Sequence, residues 1–144
     1  MKEDMLRIKP VSTSKRLKLT LPIPTSVNAM YTMRKRLTAE ARRYITLSTA
    51  LINEAIDEQN WSMQNKGTWL YIDMVYYFPD LRNRDASNCL KILLDVMQDR
   101  VYSNDMYALP RIQAVELDRE NPRVEVLITI QTEKERKKGE LICS

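Results

Sequence analysis

Residues 68–105 read TWLYIDMVYYFPDLRNRDASNCLKILLDVMQDRVYSND, and two periodicities meet in this stretch. Thr68 to Phe78 is rich in aromatic and β-branched residues, which predicts a central strand bounded by Gly67 and Pro79. From Asp85 to Arg100 the spacing changes to that of a helix. Ala86, Cys89, Leu90, Ile92, Leu93, Leu94, Val96 and Met97 fill one arc and are expected in the core. At about 100° per residue, Asp85, Asn88, Lys91 and Asp95 lie within about 120° of one another on the opposite flank. Val101 to Tyr107 is read as a short loop, carrying Asp105 beyond the helix.

Toward the N-terminus, Lys15 to Pro22 alternates, with Leu17, Leu19 and Leu21 on one side and Lys18 and Thr20 on the other, as in a half-buried strand. Pro22 and Pro24 end it. A loop follows with Asn28, Tyr31 and the basic run Arg34, Lys35, Arg36. Thr38 is placed to cap a helix, with Glu40 in its first turn. Ala41, Tyr44, Ile45, Ser48, Leu51, Ile52, Ala55 and Ile56 then recur at three- and four-residue spacing until about Asn60.

Toward the C-terminus, a strand is expected at about Leu109–Asp118, then a turn at Glu120, Asn121 and Pro122. Arg123–Ile130 alternates as a last strand, expected to pair with its predecessor as a hairpin. The order β-α-β-α-β-β predicts one α/β domain over residues 15–132, with a mixed sheet and two helices. Residues 1–14 read as an irregular leader and 133–144 as a charged tail. If both helices cover one face of the sheet, the other is open to a partner or to DNA. Ile72, Tyr71, Tyr76, Tyr77 and Phe78 are assigned to core or interface, and Trp61 and Trp69 to core.

Composition narrows the chemistry. The chain has 144 residues, 44% apolar and 29% charged, the balance of one globular domain. It contains no histidine, which excludes Ser-His and Cys-His nucleophiles and the common histidine zinc sites. Two glycines cannot build a glycine-rich nucleotide loop, so no nucleotide cofactor is expected. Two cysteines, Cys89 and Cys143, cannot form a four-cysteine metal site. Carboxylate, amide, hydroxyl and basic chemistry remains, with a hard oxygen-binding metal as helper. No run approaches the roughly 20 apolar residues of a membrane span. The start, MKEDMLRIKP, lacks an apolar signal core, which points to the cytoplasm and to free thiols.

Charge is unevenly distributed. Residues 1–50 hold 11 Lys/Arg against 3 Asp/Glu, whereas the rest hold 12 against 16. A basic part joined to an acidic part suits a protein that grips a polyanion and holds cations elsewhere. Lys15, Arg16 and Lys18 around the first strand, with Arg34, Lys35, Arg36, Arg42 and Arg43 around the loop and helix start, are the candidate phosphate contacts. Solvated surface charge accounts for any one of them alone. The helix flank has its own plain reading: Asp85 as a cap, and Lys91 with Asp95 as an i,i+4 pair.

The pattern Arg84-Asp85-x-Ser87-Asn88-x-x-Lys91-x-x-x-Asp95, followed by Asn104-Asp105, resembles the signature of the RusA-type Holliday junction resolvases. The segment LPIPTSVNAMY at 21–31, with Thr38, Glu40 and Tyr44, is similar to that family's opening strand and loop, and the likeness covers about residues 16–130. It implies a homodimeric, magnesium-dependent endonuclease (manganese standing in) that cuts four-way branched DNA. It further implies that Asp85 and Asp105 bind the metal, with Asp95 beside them, and that Lys91 is the essential lysine. Arg84, Asn88, Ser87 and Asn104 take supporting positions. Two departures stand out: Ser87 and Asn104 occupy positions where the family carries acids. A branched-DNA-binding protein with a weakened or inactive site is therefore the second reading. A small adaptor whose carboxylate helix faces solvent is the third.

Overall fold

The computed structural model describes residues 15–24, 38–65, 67–80, 86–132 and 134–136. The leader 1–14, the basic run Arg34–Arg36, the pair Arg84 and Asp85, and Cys143 lie outside the described residues. Four strands and two main helices appear in the expected β-α-β-α-β-β order.

Strand β1 (Arg16–Leu21) buries Leu17, Leu19 and Leu21 and exposes the residues between them. Helix α1 (Ala39–Gln59) begins where Thr38 accepts a hydrogen bond from the Ala41 N–H at 3.1 Å. It ends at Asn60, whose left-handed φ of 57° and N–H bond to the Ile56 carbonyl close the last turn. Ala41, Tyr44, Ser48 and Ile52 are its buried stripe. Strand β2 (Leu70–Phe78) is buried at every second residue. After a 3₁₀ turn at Ala86–Cys89 comes helix α2 (Leu90–Met97). A second 3₁₀ turn (Asp105–Tyr107) leads into β3 (Ala108–Leu117), and β4 (Arg123–Ile130) follows.

The sheet order is β1-β4-β2-β3. β4 therefore lies antiparallel between β1 and β2, while β3 runs parallel to β2 at the edge. The expected hairpin of the last two strands does not form. Residues 118–122 instead carry the chain past the end of β2, where the Asp118 N–H donates to the Phe78 carbonyl at 2.8 Å. Burial explains the exchange. β4 hides Val124, Val126 and Ile128 and gains from two neighbours, whereas β3 is largely exposed and contains Pro110, a residue suited to an edge.

Both edges are protected, by different means. At β1, the Gln59 side chain imitates a further strand. Its Nε2 donates to the Lys18 carbonyl at 2.7 Å and its Oε1 accepts from the Lys18 N–H at 2.8 Å. β3 carries a bulge opposite Met74 and Val75, with Gln113 as the extra residue.

The helices pack on one face, where Leu17, Ile72, Met74, Tyr76, Phe78 and Ile128 join Ile92, Leu93 and Met97. Trp61 is buried, and its indole N–H donates to the Val101 carbonyl at 3.0 Å. Trp69, expected in the core, is half-buried instead, as are Tyr71 and Tyr77. Tyr71 and Tyr77 project from the other face, where arginines cover their rings: Arg111 over Tyr71 at 3.9 Å and Arg123 over Tyr77 at 3.8 Å. Cys89 is buried, and its thiol donates to the Pro24 carbonyl at 3.5 Å.

On that second face Arg111 forks onto Asp73, with Nε to Oδ1 at 2.6 Å and Nη2 to Oδ2 at 2.9 Å, and Gln113 Nε2 adds a third bond at 2.7 Å. The guanidinium bond, above all, holds the Asp73 carboxyl below its ordinary value of 3.8. A carboxyl depressed in the fold adds stability at neutral pH and loses it as pH falls through the lowered value. Unfolding free energy should thus decline below about pH 4, and Asp73→Asn should flatten that decline while lowering stability near neutrality. Urea titrations across the acid range measure both effects.

Candidate active site

The site is assembled from the two ends of α2. In the helix proper, Ile92, Leu93, Val96 and Met97 are buried, and Leu90 and Leu94 partly so, as the apolar arc predicts. The opposite flank carries Lys91 and Asp95, whose Nζ and Oδ2 lie 3.3 Å apart across one turn. Both are well exposed, at 56% and 41%, so this contact is readily exchanged with solvent or ligand.

The start of the segment departs from the expected helix. Ala86–Cys89 form a 3₁₀ turn, in which successive residues advance by about 120° rather than 100°. The angular reading from Asp85 therefore holds for Lys91 and Asp95 relative to each other, but not for Asn88 relative to them. Ser87 is exposed, and Asn88 belongs to the same turn.

The helix also stops earlier than expected, at Met97 rather than Arg100. Gln98 is extended and Asp99 adopts a left-handed φ of 69°, and the Asp99 N–H donates to the Tyr102 carbonyl at 2.7 Å. This reversal folds Tyr102 under the helix end. Its hydroxyl donates to the Leu94 carbonyl at 2.7 Å, satisfying one of the acceptors that a helix C-terminus leaves open. Backbone bonds from the Gln64 N–H to Val101 and from the Ser103 N–H to Gln64, at 3.1 and 2.9 Å, pin the loop to the chain after α1.

Asp105 then opens the turn before β3. Asn104 caps it, with its Oδ1 accepting the Met106 N–H at 2.9 Å. Tyr102 joins this turn to the helix flank. Burial first, then the charges of Asp105 and of Asp95, push its phenol pKa upward. Asp95 and Asp105 are ten residues apart in the chain, with Tyr102 between them in sequence.

The basic residues do not form one patch. Lys15, Arg16 and Lys18 are exposed around β1, with Arg16 and Lys18 on the face away from the helices. Arg42 and Arg43 are exposed in the first turns of α1. Lys18 touches Gln59 near the other end of that helix, which puts the two groups about 24 Å apart along its axis.

The available donors suit a hard cation: carboxylate oxygens, with amide and hydroxyl groups nearby and no histidine anywhere in the chain. Among the described residues, no three acidic or cysteine side chains cluster closely enough to hold a metal ion. Asp95 and Asp105 are the described part of the expected set, and Asp85 lies outside it. Pattern reading missed Tyr102. A lone aromatic in a short loop carries no periodic signal, and only its position ahead of Asn104-Asp105 marks it. The capping role of Asn104 was legible in principle, because an asparagine two residues before a turn N–H is a common local cap.

Over residues 11–129 the chain matches the protein family described as endodeoxyribonuclease RusA. No curated protein matches it. At Asn104, where the resemblance expects an acid, the structure needs an acceptor for the Met106 N–H, and either residue type supplies one. Asn104→Ala should cost about 1 kcal/mol in urea unfolding, and Asn104→Asp should cost almost nothing.

Proposed function

Because the chain belongs to the RusA family of endodeoxyribonucleases, which resolve Holliday junctions, we propose that it is a homodimer that cuts four-way DNA symmetrically with magnesium. Metal dependence and junction DNA come with the family. Magnesium as the ion, manganese as its substitute, and the two-fold dimer are our reading. Resolution takes two matched incisions, and one site per chain calls for two chains. Residues 15–132 form the nuclease unit in this proposal. No helix among the described residues is long and apolar enough to cross a membrane.

What supports the catalytic assignment is the family match together with the crossover, in which the end of the helix carrying Asp95 is tied through the Tyr102 hydroxyl, bonded to the Leu94 carbonyl, to the loop that leads to Asp105. Asp85 and Asp105 would hold the ion, with Asp95 bound to it directly or through water. Bound there, the metal would activate water and neutralise charge at phosphorus. Lys91, one turn from Asp95, would exchange its carboxylate contact for a phosphate oxygen and offset the negative charge that develops there. Ser87, Asn88 and Arg84 would orient water and the backbone around this group, and Asn104 would hold the Asp105 turn. Lys15, Arg16, Lys18, Arg34, Lys35, Arg36, Arg42 and Arg43 would bind phosphates. The described ones, Lys15, Arg16 and Lys18 around β1 and Arg42 and Arg43 on α1, stand apart, which suits a substrate whose arms diverge.

A second reading has a specific basis. With Ser87 and Asn104 neutral, the site holds less negative charge than the family pattern carries, which favours a branched-DNA binder of reduced activity. A labelled four-way junction separates the two: with magnesium, cleavage supports the nuclease, and binding without cleavage supports the weakened form. For the nuclease, Asp105→Asn should abolish cleavage while leaving junction binding largely intact. Full activity in that variant would refute the assignment. Affinity should also fall log-linearly with salt, and a flat titration would remove the electrostatic grip.

A further inference from the structure

Next to Asp105 the surface changes from polar to aromatic. Met106 is 59% exposed, the most exposed of the large apolar side chains among the described residues. It does not flap freely, because its N–H is bonded to Asn104 Oδ1 within the 3₁₀ turn. The following residue, Tyr107, meets Trp69 edge-on, with ring centroids 5.0 Å apart and planes at 72°. The sheet enforces this meeting. Leu70 and Ala108 are register partners in the parallel β2–β3 pair, so the residues preceding them reach the sheet side by side. Neither ring belongs to the core cluster, and both are half-buried. One step further along, the Tyr71 ring is covered by Arg111, which is itself held by Asp73, so the aromatic strip ends there.

The exposed thioether and the ring pair are adjacent in the chain, and their location says what they would receive. They begin one residue from the carboxylate assigned to the ion at the scissile phosphate. In a DNA strand each base hangs one sugar away from its phosphate, so a strand seated at Asp105 brings a base to Met106. A thioether and two aromatic rings are good partners for a π face, and such contacts are tolerant of base identity. Apolar side chains that enter DNA also hold apart steps that would otherwise stack. We propose that Met106, Tyr107 and Trp69 form a stacking surface that receives a nucleobase unstacked beside the cleaved phosphate. The proposal rests on the nuclease reading above and adds the contact that selects a distortable branch point.

Met106→Ala and Trp69→Ala test it on the full chain with four-way junctions. Met106 is a surface side chain, so its variant keeps the fold even if the Trp69 variant does not. On a fully paired junction each should cut at least about fivefold more slowly, the lower end of what one stacked base contributes, with junction affinity unchanged. A junction mismatched at the nucleotide beside the cut should restore much of the rate, since the base is then already unstacked. 2-Aminopurine at that nucleotide should change its fluorescence on binding to the wild type and not to the Met106 variant. An unaltered rate on the paired junction, or an equal deficit on the mismatched one, would overturn the proposal. So would dissociation of the variant into monomers on sedimentation, which would put Met106 between subunits. A wild-type protein that binds junctions without cutting them would bring down the nuclease reading and this inference with it; fluorescence then tells whether unstacking alone survives.

Discussion

Parallel strands enter a sheet from the same end, so a chain leaving β2 at Phe78 must travel back along the sheet before β3 can start at Ala108. Helix α2 makes that return, and its position follows from the need to bury Ile92, Leu93, Val96 and Met97 against β2. The consequence for chemistry is direct. The C-terminal end of α2 has to come close to the start of β3. Asp95 stands near the end of the helix and Asp105 just ahead of the strand, so the crossover connects them through one short loop, in which the Tyr102 hydroxyl is bonded to the Leu94 carbonyl.

The same crossover leaves the two sheet faces unlike. The face under the helices is sealed by aliphatic side chains and by Tyr76 and Phe78, whose rings stack at 5.6 Å. Among the described residues no helix covers its partner face, which carries polar contacts instead: Arg111 on Tyr71 and Asp73, and Arg123 on Tyr77, Asp118 and Glu125. Stacked guanidinium groups shield those rings from water while keeping charge at the surface. An aromatic-rich strand therefore stands in the middle of this sheet without a second layer of helices.

These contrasts mark what the sequence could and could not reveal. The ends of α1 were legible because Thr38 and Asn60 satisfy backbone groups locally, and a cap is written in neighbouring residues. The buried arc of α2 was legible for the same kind of reason, since helical spacing repeats over a few turns. The sheet order was not. Period-two alternation reports which face a residue occupies and says nothing of which strand lies beside it. β3 and β4 are adjacent in the chain, yet β2 separates them in space. The 3₁₀ start of the helix was hidden too, because Ala86–Cys89 carry apolar residues at spacings that either helix type accepts. Alternation in β2 puts Tyr71 and Tyr77 on the face opposite Tyr76, a distinction that the aromatic composition of the strand does not make.

Neutral residues at 87 and 104 can be weighed against this background. Carboxylates crowded around one point repel each other and are held together only by a cation or by the fold. Here the fold supplies much of the geometry without charge: Asn104 caps the Asp105 turn, backbone bonds fasten the preceding loop to Gln64, and Tyr102 closes the helix end. Each of these is a hydrogen bond made whether or not an ion is bound. A site built this way needs fewer acids to keep its shape, at the expense of weaker attraction for the cation. Asn104 therefore serves position where an aspartate would serve position and charge together. Separating those two roles is the physical content of the departure from the family pattern, and it locates the difference in metal affinity rather than in the architecture of the site.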